Sequence, residues 1–262
     1  MKKYFKWLVV LLLSISFDCI AAPELLIGPG DMLKISVYGN PDLNIETRVS
    51  EAGKITFPLI NAVTVEHLSV AAAENKIAGL LETGGFLRKP QINIVVTLLQ
   101  SQQVSVLGQV SKPGRYPLDG KRSVTDMLAL AGGASVDGGD VVTLIRGGDA
   151  GGKKEVIDLA AMMRSGDMTK NVELVAGDIL YVDRAPRFYI YGEVQRPGVY
   201  RLERNMTVAQ ALSVGGGLSA RGTERGLRIK RGDESGNTKE ISVKHDEVLQ
   251  ADDVVYVQES LF

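Results

Sequence analysis

Residues able to do chemistry are few in this sequence and lie far apart. His67 and His245 are the only histidines and Cys19 the only cysteine, so neither a His/Cys zinc set nor a Cys–His couple can form from neighbouring positions. No serine sits in a Gly-x-Ser-x-Gly turn, which leaves nucleophilic hydrolysis without its strand-to-helix elbow. Gly147, Gly152, Lys153 and Lys154 approach the phosphate-loop pattern, but the Ser/Thr is missing and the segment lies between two expected strands, where a hairpin turn accounts for it. Asp252 and Asp253 could offer carboxylates to calcium, yet adjacent residues on a strand point to opposite faces, so a solvated turn is expected. His67, beside Glu66, reads as a surface loop. No catalytic residue, metal site or cofactor is expected. Sugar binding is the remaining chemistry: Tyr116, Tyr189, Tyr191 and Tyr200 could stack on pyranose rings. Tyr189 and Tyr191 alternate on a strand, so one packed face, in a core or an interface, competes with that reading.

The 262 residues are 45% hydrophobic, 23% charged and 6% aromatic, with a formal net charge of -1. These proportions are those of a globular protein and exclude disorder, collagen and a bundle of membrane spans. A near-neutral balance carries no basic stripe, so nucleic acid is not expected as a partner. The 29 glycines call for many tight turns.

Lys2, Lys3 and Lys6 precede an apolar run from Trp7 to Phe17, and Cys19-Ile-Ala-Ala22 forms a small-residue exit before Pro23. That is the layout of a secretory signal peptide, with cleavage expected near Ala22 and a periplasmic destination. An eleven-residue apolar run is short against the roughly 20 a spanning helix needs. Cleavage removes the only Cys and the only Trp and leaves 27 basic against 30 acidic residues. Lipid modification of Cys19 is the competing reading. It normally needs a small residue just before the cysteine, where Asp18 stands after Phe17, and cleavage is preferred.

The clearest signal comes from comparing the chain with itself. Val104 to Tyr116, with Gly108, Pro113 and Gly114, matches Phe188 to Tyr200, with Gly192, Pro197 and Gly198, at a constant offset of 84. The same offset carries Leu128 onto Leu212, Gly132-Gly133 onto Gly216-Gly217 and Ile145 onto Ile229. Two copies of one small domain follow. The copies end alike at Tyr181-Val182 and Tyr256-Val257, where the spacing has shrunk to 75. The shortening falls between Asp149 and Lys170, read as loop variation.

In each copy, alternating apolar residues form a strand before Gly108 or Gly192, and the Pro-Gly pair turns into a second strand. Ser123 with Asp126, and Thr207 with Gln210, stand three apart as capping boxes opening a short helix. Gly132 and Gly216 supply the left-handed residue that closes it. Further strands are expected over Val141–Arg146 with Glu155–Leu159, and over Gly226–Arg231 with Lys239–Val243. A hairpin, one helix and two or three more strands is the order of a β-grasp domain. Gly108 and Gly192 are expected to serve strand bends or close backbone approach.

Residues before about 100 differ. Ile27-Gly28-Pro-Gly30-Asp31 reads as a turn and Met32–Tyr38 as a strand, with Thr47–Phe57 a hairpin around Gly53. Ser69 caps an expected helix through Thr83 with Val70, Ala73, Ile77, Leu80 and Leu81 on one face, and Pro90–Leu99 is another strand.

Gly28-Pro-Gly-Asp31 with Leu33–Tyr38, Val49–Pro58, and the two Gly-x-Val-x-x-Pro-Gly-x-Tyr repeats together resemble the Wza-type polysaccharide export proteins. The resemblance covers essentially everything after the signal peptide. It implies an α+β chain: signal peptide 1–22, polysaccharide export domain 23–100, and SLBB β-grasp domains at 101–185 and 186–262. Gly28, Gly30, Asp31, Gly108, Pro113, Gly114, Gly192, Pro197 and Gly198 carry the family motifs. It further implies transport without turnover, a homo-oligomeric periplasmic ring conducting exopolysaccharide or capsule, and an inner-membrane co-polymerase as partner. Relatives add a C-terminal amphipathic helix that builds an outer-membrane pore, whereas this sequence stops at Phe262, five residues after Val257. The expectation is therefore outer-membrane association through a separate protein. A periplasmic module that binds or scaffolds polysaccharide without conducting it is the alternative.

Overall fold

The computed structural model describes residues 25–147, 152–232 and 236–260. The expected signal peptide, Cys19 included, lies outside them. The chain forms two compact units, one of residues up to Val104 with Pro117–Arg122 and Glu173–Ala176, the other of Ser105–Tyr116, Ser123–Val172 and Gly177 onward.

In the first unit, β1 (Met32–Val37) is the central strand, antiparallel to β2 (Ile45–Arg48) on one side and to β5 (Ile92–Leu98) on the other. Strands β3 (Lys54–Phe57) and β4 (Asn61–Thr64) pair separately. The expected Thr47–Phe57 hairpin is thus not formed. A tight turn does occur where Ser50 accepts from Gly53, but it passes the chain from one sheet to another. Leu33 and Ile35 of β1 and Phe57 of β3 must all reach one core, and two sheets in contact bury more apolar surface than one continued ladder. Helix α1 (Val70–Thr83) starts where the Ser69 hydroxyl accepts from Ala72 N. It buries Ala73, Ile77 and Leu81. Leu80, expected on that face, is exposed.

The second unit contains the duplication. The first copy has β6 (Gln103–Gly108), β7 (Gly114–Pro117), α2 (Val124–Leu130), β8 (Gly138–Arg146), β9 (Lys153–Asp158), α3 (Leu159–Ser165) and β10 (Ile179–Arg184). The second has β11 (Arg187–Gly192), β12 (Gly198–Arg201), α4 (Val208–Val214), β13 (Arg228–Gly232), β14 (Thr238–Ser242) and β15 (Val254–Val257). The two sheets share one order, β7-β6-β10-β8-β9 and β12-β11-β15-β13-β14, with the central strand parallel to the first strand of its copy and antiparallel to its other neighbour. Both capping boxes form, and Gly132 and Gly216 take φ values of +78° and +84°. In the second copy, Val208, Ala211 and Leu212 of α4 cluster with Phe188, Ile190, Ile229 and Val255 from the sheet. Complete burial of a side chain like Phe188 contributes roughly 2–3 kcal/mol.

Three expectations about the repeats are corrected. The segment Asp149–Lys170 is not mere loop variation: Asp158 caps α3 by accepting from Ala161 N, Gly166 closes it at φ +70°, and a 3-10 turn follows at Met168–Lys170. The second copy has no helix there, which accounts for the shorter spacing. Residue 145 does not match 229. Leu180 lies opposite Leu144, and its counterpart Val255 lies opposite Ile229, so the offset has become 85. A one-residue slip exchanges the two faces of a strand, and Leu144 and Ile229 are the buried pair. Finally, Asp252-Asp253 is not simply a solvated turn: Asp252 is exposed at φ +64°, but Asp253 is fully buried.

Asp253 receives the Arg231 guanidinium in two hydrogen bonds, 2.8 Å from Nε and 2.7 Å from Nη2, and Gln250 N at 2.8 Å. In the first copy Arg146 holds the equally buried Asp178 at 3.0 and 2.8 Å. The bonded carboxylates raise the pKa of Arg146 and Arg231 above the ordinary arginine value. Removing one member of a buried pair strands the other. Asp253→Ala should therefore cost about 3 kcal/mol in urea unfolding of the whole chain. A loss below about 1 kcal/mol would contradict the role given to this pair.

Candidate functional site

Asp31 follows Gly30, whose φ is +89°. Its carboxylate is fully buried and accepts four hydrogen bonds: Gly28 N at 2.9 Å, Gln100 N and Ser101 N at 2.8 Å, and Ser101 Oγ at 2.8 Å. A side chain on Gly28 would collide with the Cβ of Ser101. The Gly28–Asp31 motif is thus a clamp joining the start of β1 to the chain leaving β5.

The repeated Gly and Tyr positions do local work. A Cβ on Gly108 would fall on the carbonyl oxygen of Val182, and one on Gly192 on that of Val257, with φ at +84° and +94°. Pro113-Gly114 and Pro197-Gly198 lead into β7 and β12. The Tyr116 hydroxyl donates to Lys112 O and that of Tyr200 to Arg196 O, both at 2.6 Å. These two tyrosines span their own hairpin turns, and the Tyr200 ring also packs on Phe188 with centroids 5.8 Å apart. Their hydroxyls are committed to the fold.

Tyr189 and Tyr191 face outward from β11, 38% and 36% exposed. In register with them on the central strand stand Val254 and Tyr256, and beyond those Lys230 and Arg228 of β13. The rings of Tyr191 and Tyr256 lie 4.9 Å apart at 37°. Lys230 Nζ sits 5.7 Å from the Tyr191 centroid. Its interaction with Tyr191, and then the charges of Glu240 and Tyr256, raise its pKa. Arg228 is spent on Glu240 at 2.9 Å. Sequence reasoning missed Tyr256 and Lys230. The signal for Tyr256 was available, since it aligns with Tyr181 in the terminal repeat, whereas Lys230 was hidden by the register slip.

Three arginines of the second copy reach the first. Arg187 Nη2 donates to Asp137 at 2.8 Å. Arg201 bonds the carbonyl oxygen of Gly138 and the Asp140 carboxylate, both at 2.9 Å. Arg204 engages Asp158 through both oxygens at 2.6 and 2.8 Å, and also Asp140. The Arg204 hydrogen bonds, then the backbone bond from Ala161, lower the Asp158 pKa to about 2. This junction was not legible in the sequence, because none of its residues is special by type. Among the described residues no group of three or more His, Cys, Asp or Glu could hold a metal ion, and no helix is long and apolar enough to cross a membrane.

With this geometry in place, comparison with known proteins is decisive on kinship. Residues 20–97 match the family described as polysaccharide biosynthesis/export protein, and residues 102–182 and 187–241 each match an SLBB domain. The chain carries a polysaccharide export domain followed by two SLBB domains, which fits a member of the polysaccharide export family. It is 29% identical to the EPS I polysaccharide export outer membrane protein EpsA of Ralstonia nicotianae, over 74% of this chain and 57% of that protein. It matches EpsA of Ralstonia solanacearum at the same identity and coverage. It is 24% identical to the polysialic acid transport protein KpsD of Escherichia coli, over 73% of this chain and 34% of that protein. The chain thus spans little more than half the length of the Ralstonia relatives. The export-family match includes Gly28–Asp31 but stops short of Gln100 and Ser101, which complete the clamp, and the two SLBB matches begin at the paired hairpins. The second SLBB match stops at 241, yet its sheet is centred on β15, which begins thirteen residues further on.

Two predictions test this geometry. Gly192→Ala should destabilise the second SLBB copy by more than 2 kcal/mol, because overlap with Val257 O adds to a left-handed cost of about 1–2 kcal/mol. Gly114→Ala, with open space around its Cβ and no positive φ, should stay within about 0.5 kcal/mol in the same denaturant titration. Equal losses would remove the close-approach argument. The second concerns acid. A carboxylate lowered to about 2 contributes stability above the ordinary carboxylate range near 4, and loses it as pH falls from about 4 toward 2. Carboxyl ¹³C titration should give Asp158 a midpoint near 2 in the native chain, moving up in Arg204→Ala. An unchanged midpoint would show that Arg204 is not the cause.

Proposed function

We propose that this protein is a periplasmic, ring-forming component of an exopolysaccharide or capsule export machine, conducting polymer from an inner-membrane co-polymerase toward the outer membrane. The single observation that carries the reading is the ordered succession of one export module and two SLBB modules across residues 20–241. Two relatives are named for EPS I polysaccharide export and one for polysialic acid transport, which supports a polysaccharide as cargo. Hydrogen bonding of the two SLBB copies through directional arginine forks suits a wall element that must keep its angle while polymer moves past it. The reading needs no catalytic group: a sliding polymer is handled by many weak contacts, since a tight site would stall it. Export through the cell envelope accords with the expected leader over residues 1–22, with cleavage near Ala22.

A clean gene deletion should abolish surface polysaccharide, and expression of the intact chain should restore it. Cys19→Ala should complement equally well, and the purified protein should form rings in electron micrographs. Normal secretion by the deletion strain would overturn export. A monodisperse monomer that binds oligosaccharide would replace conduction with a binding or scaffolding role.

A further inference from the structure

The internal duplication supplies a control within the same chain. On the outward face of the first copy, the positions equivalent to Tyr189, Tyr191, Tyr256 and Lys230 hold Ser105, Leu107, Tyr181 and Ile145. The two sheets have the same strand order and bury equivalent inward residues, Val106, Leu144 and Leu180 matching Ile190, Ile229 and Val255. The fold therefore does not require aromatic rings or a lysine at these outward positions. Only the second copy carries three tyrosines there, with a cation beside them.

We infer that this face, built by Tyr189, Tyr191, Tyr256 and Lys230, is a contact platform for an acidic polysaccharide, an inference that rests on the export reading above. The ring faces carry negative quadrupoles that attract the weakly positive C–H bonds of a pyranose. The tilted Tyr191–Tyr256 pair offers such faces on neighbouring strands, and Tyr189 extends the row two residues along β11. Charge complementarity selects the class of sugar. Lys230 sits over the Tyr191 ring, and the one carboxylate facing it, Glu240 opposite on β14, is already bonded by Arg228; these three groups together leave one net positive charge to offer a carboxylate. Contacts of this kind are individually weak and exposed, which suits a polymer that must be released.

The test uses the full chain and polymer shed by wild-type cells, partially hydrolysed to oligosaccharides, either native or with its carboxyl groups reduced. Tyrosine ring signals are followed by NMR. Native material should shift the Tyr191 and Tyr256 signals, and the reduced material should bind at least tenfold more weakly. The variant Y189S/Y191L/K230I installs the residues of the first copy, which already forms this sheet, and should stay folded while losing the shifts. Lys230→Met alone should remove the preference for native over reduced material. The platform is overturned by a polymer without acidic sugars, by absence of shifts with native material, or by equal binding of both forms. It is also overturned if the triple variant loses oligomers but keeps binding, which would assign the face to a second copy of the chain. Failure of the platform leaves secretion dependent on the gene, whereas failure of the export reading appears as normal secretion in the deletion strain.

Discussion

A carboxylate sealed in a turn is the constraint on which this architecture hangs. Asp31, Asp178 and Asp253 are all buried, and each follows a residue with positive φ, Gly30, Gly177 or Asp252. The left-handed residue bends the chain so that the carboxylate points back under it. At Asp31 and Asp253 the amide three positions earlier then donates to the carboxylate. A buried carboxylate costs several kcal/mol unless its lone pairs are filled. The fold must therefore deliver specific donors: Gln100 and Ser101 to Asp31, Arg146 to Asp178, Arg231 to Asp253. Each donor comes from an element distant in sequence. The demand fixes register: a one-residue slip of β13 would carry Arg231 away from Asp253 and leave the charge unpaired.

That constraint also marks what could be read from the sequence and what could not. The repeat, both capping boxes, the Gly closures and the α+β order were legible because they are local, written in residue types at fixed short spacings. Gly108 and Gly192 were legible as tight positions but not as to what they approach, since Val182 and Val257 lie more than sixty residues away. The Thr47–Phe57 hairpin failed for a physical reason. Turn chemistry around Gly53 specifies a reversal of direction but not the partner, and burial of Phe57 with Leu33 and Ile35 decided that the strands part. Helix α3 carried its own signals in Asp158 and Gly166 and was overlooked because the segment was compared with a copy that lacks it. Of the candidate positions, Gly28, Gly30, Gly108 and Gly192 were legible as backbone constraints, and the four tyrosines were not separable. Two hold turns and two face outward, and only pairing register distinguishes them.

The two copies show how a sheet divides its duties. The inward positions form a helix-covered core, and its apolar character persists across the duplication, Phe188 standing where Val104 stands and Ile190 where Val106 does. Outward positions answer to no such demand. A change there costs little stability, because surface substitutions away from caps and pairs usually lie within about 0.5 kcal/mol. Chemistry can therefore be added to the outer face of one copy without disturbing the register that the inner face and the buried Asp pair hold.

The junction between the copies follows different physics from their cores. An apolar joint is held by area and tolerates sliding, because burial has no direction. Arg201 instead divides its fork between the Gly138 carbonyl and Asp140, and Arg204 grips both oxygens of Asp158. Bidentate contacts are geometrically specific, so a small rotation loses several of them at once. Asp158 is also the N-cap of α3, and α3 contacts β8. A pull on Arg204 is therefore resisted by a helix terminus and, through it, by the first sheet. Such a joint can remain wet and still keep its angle.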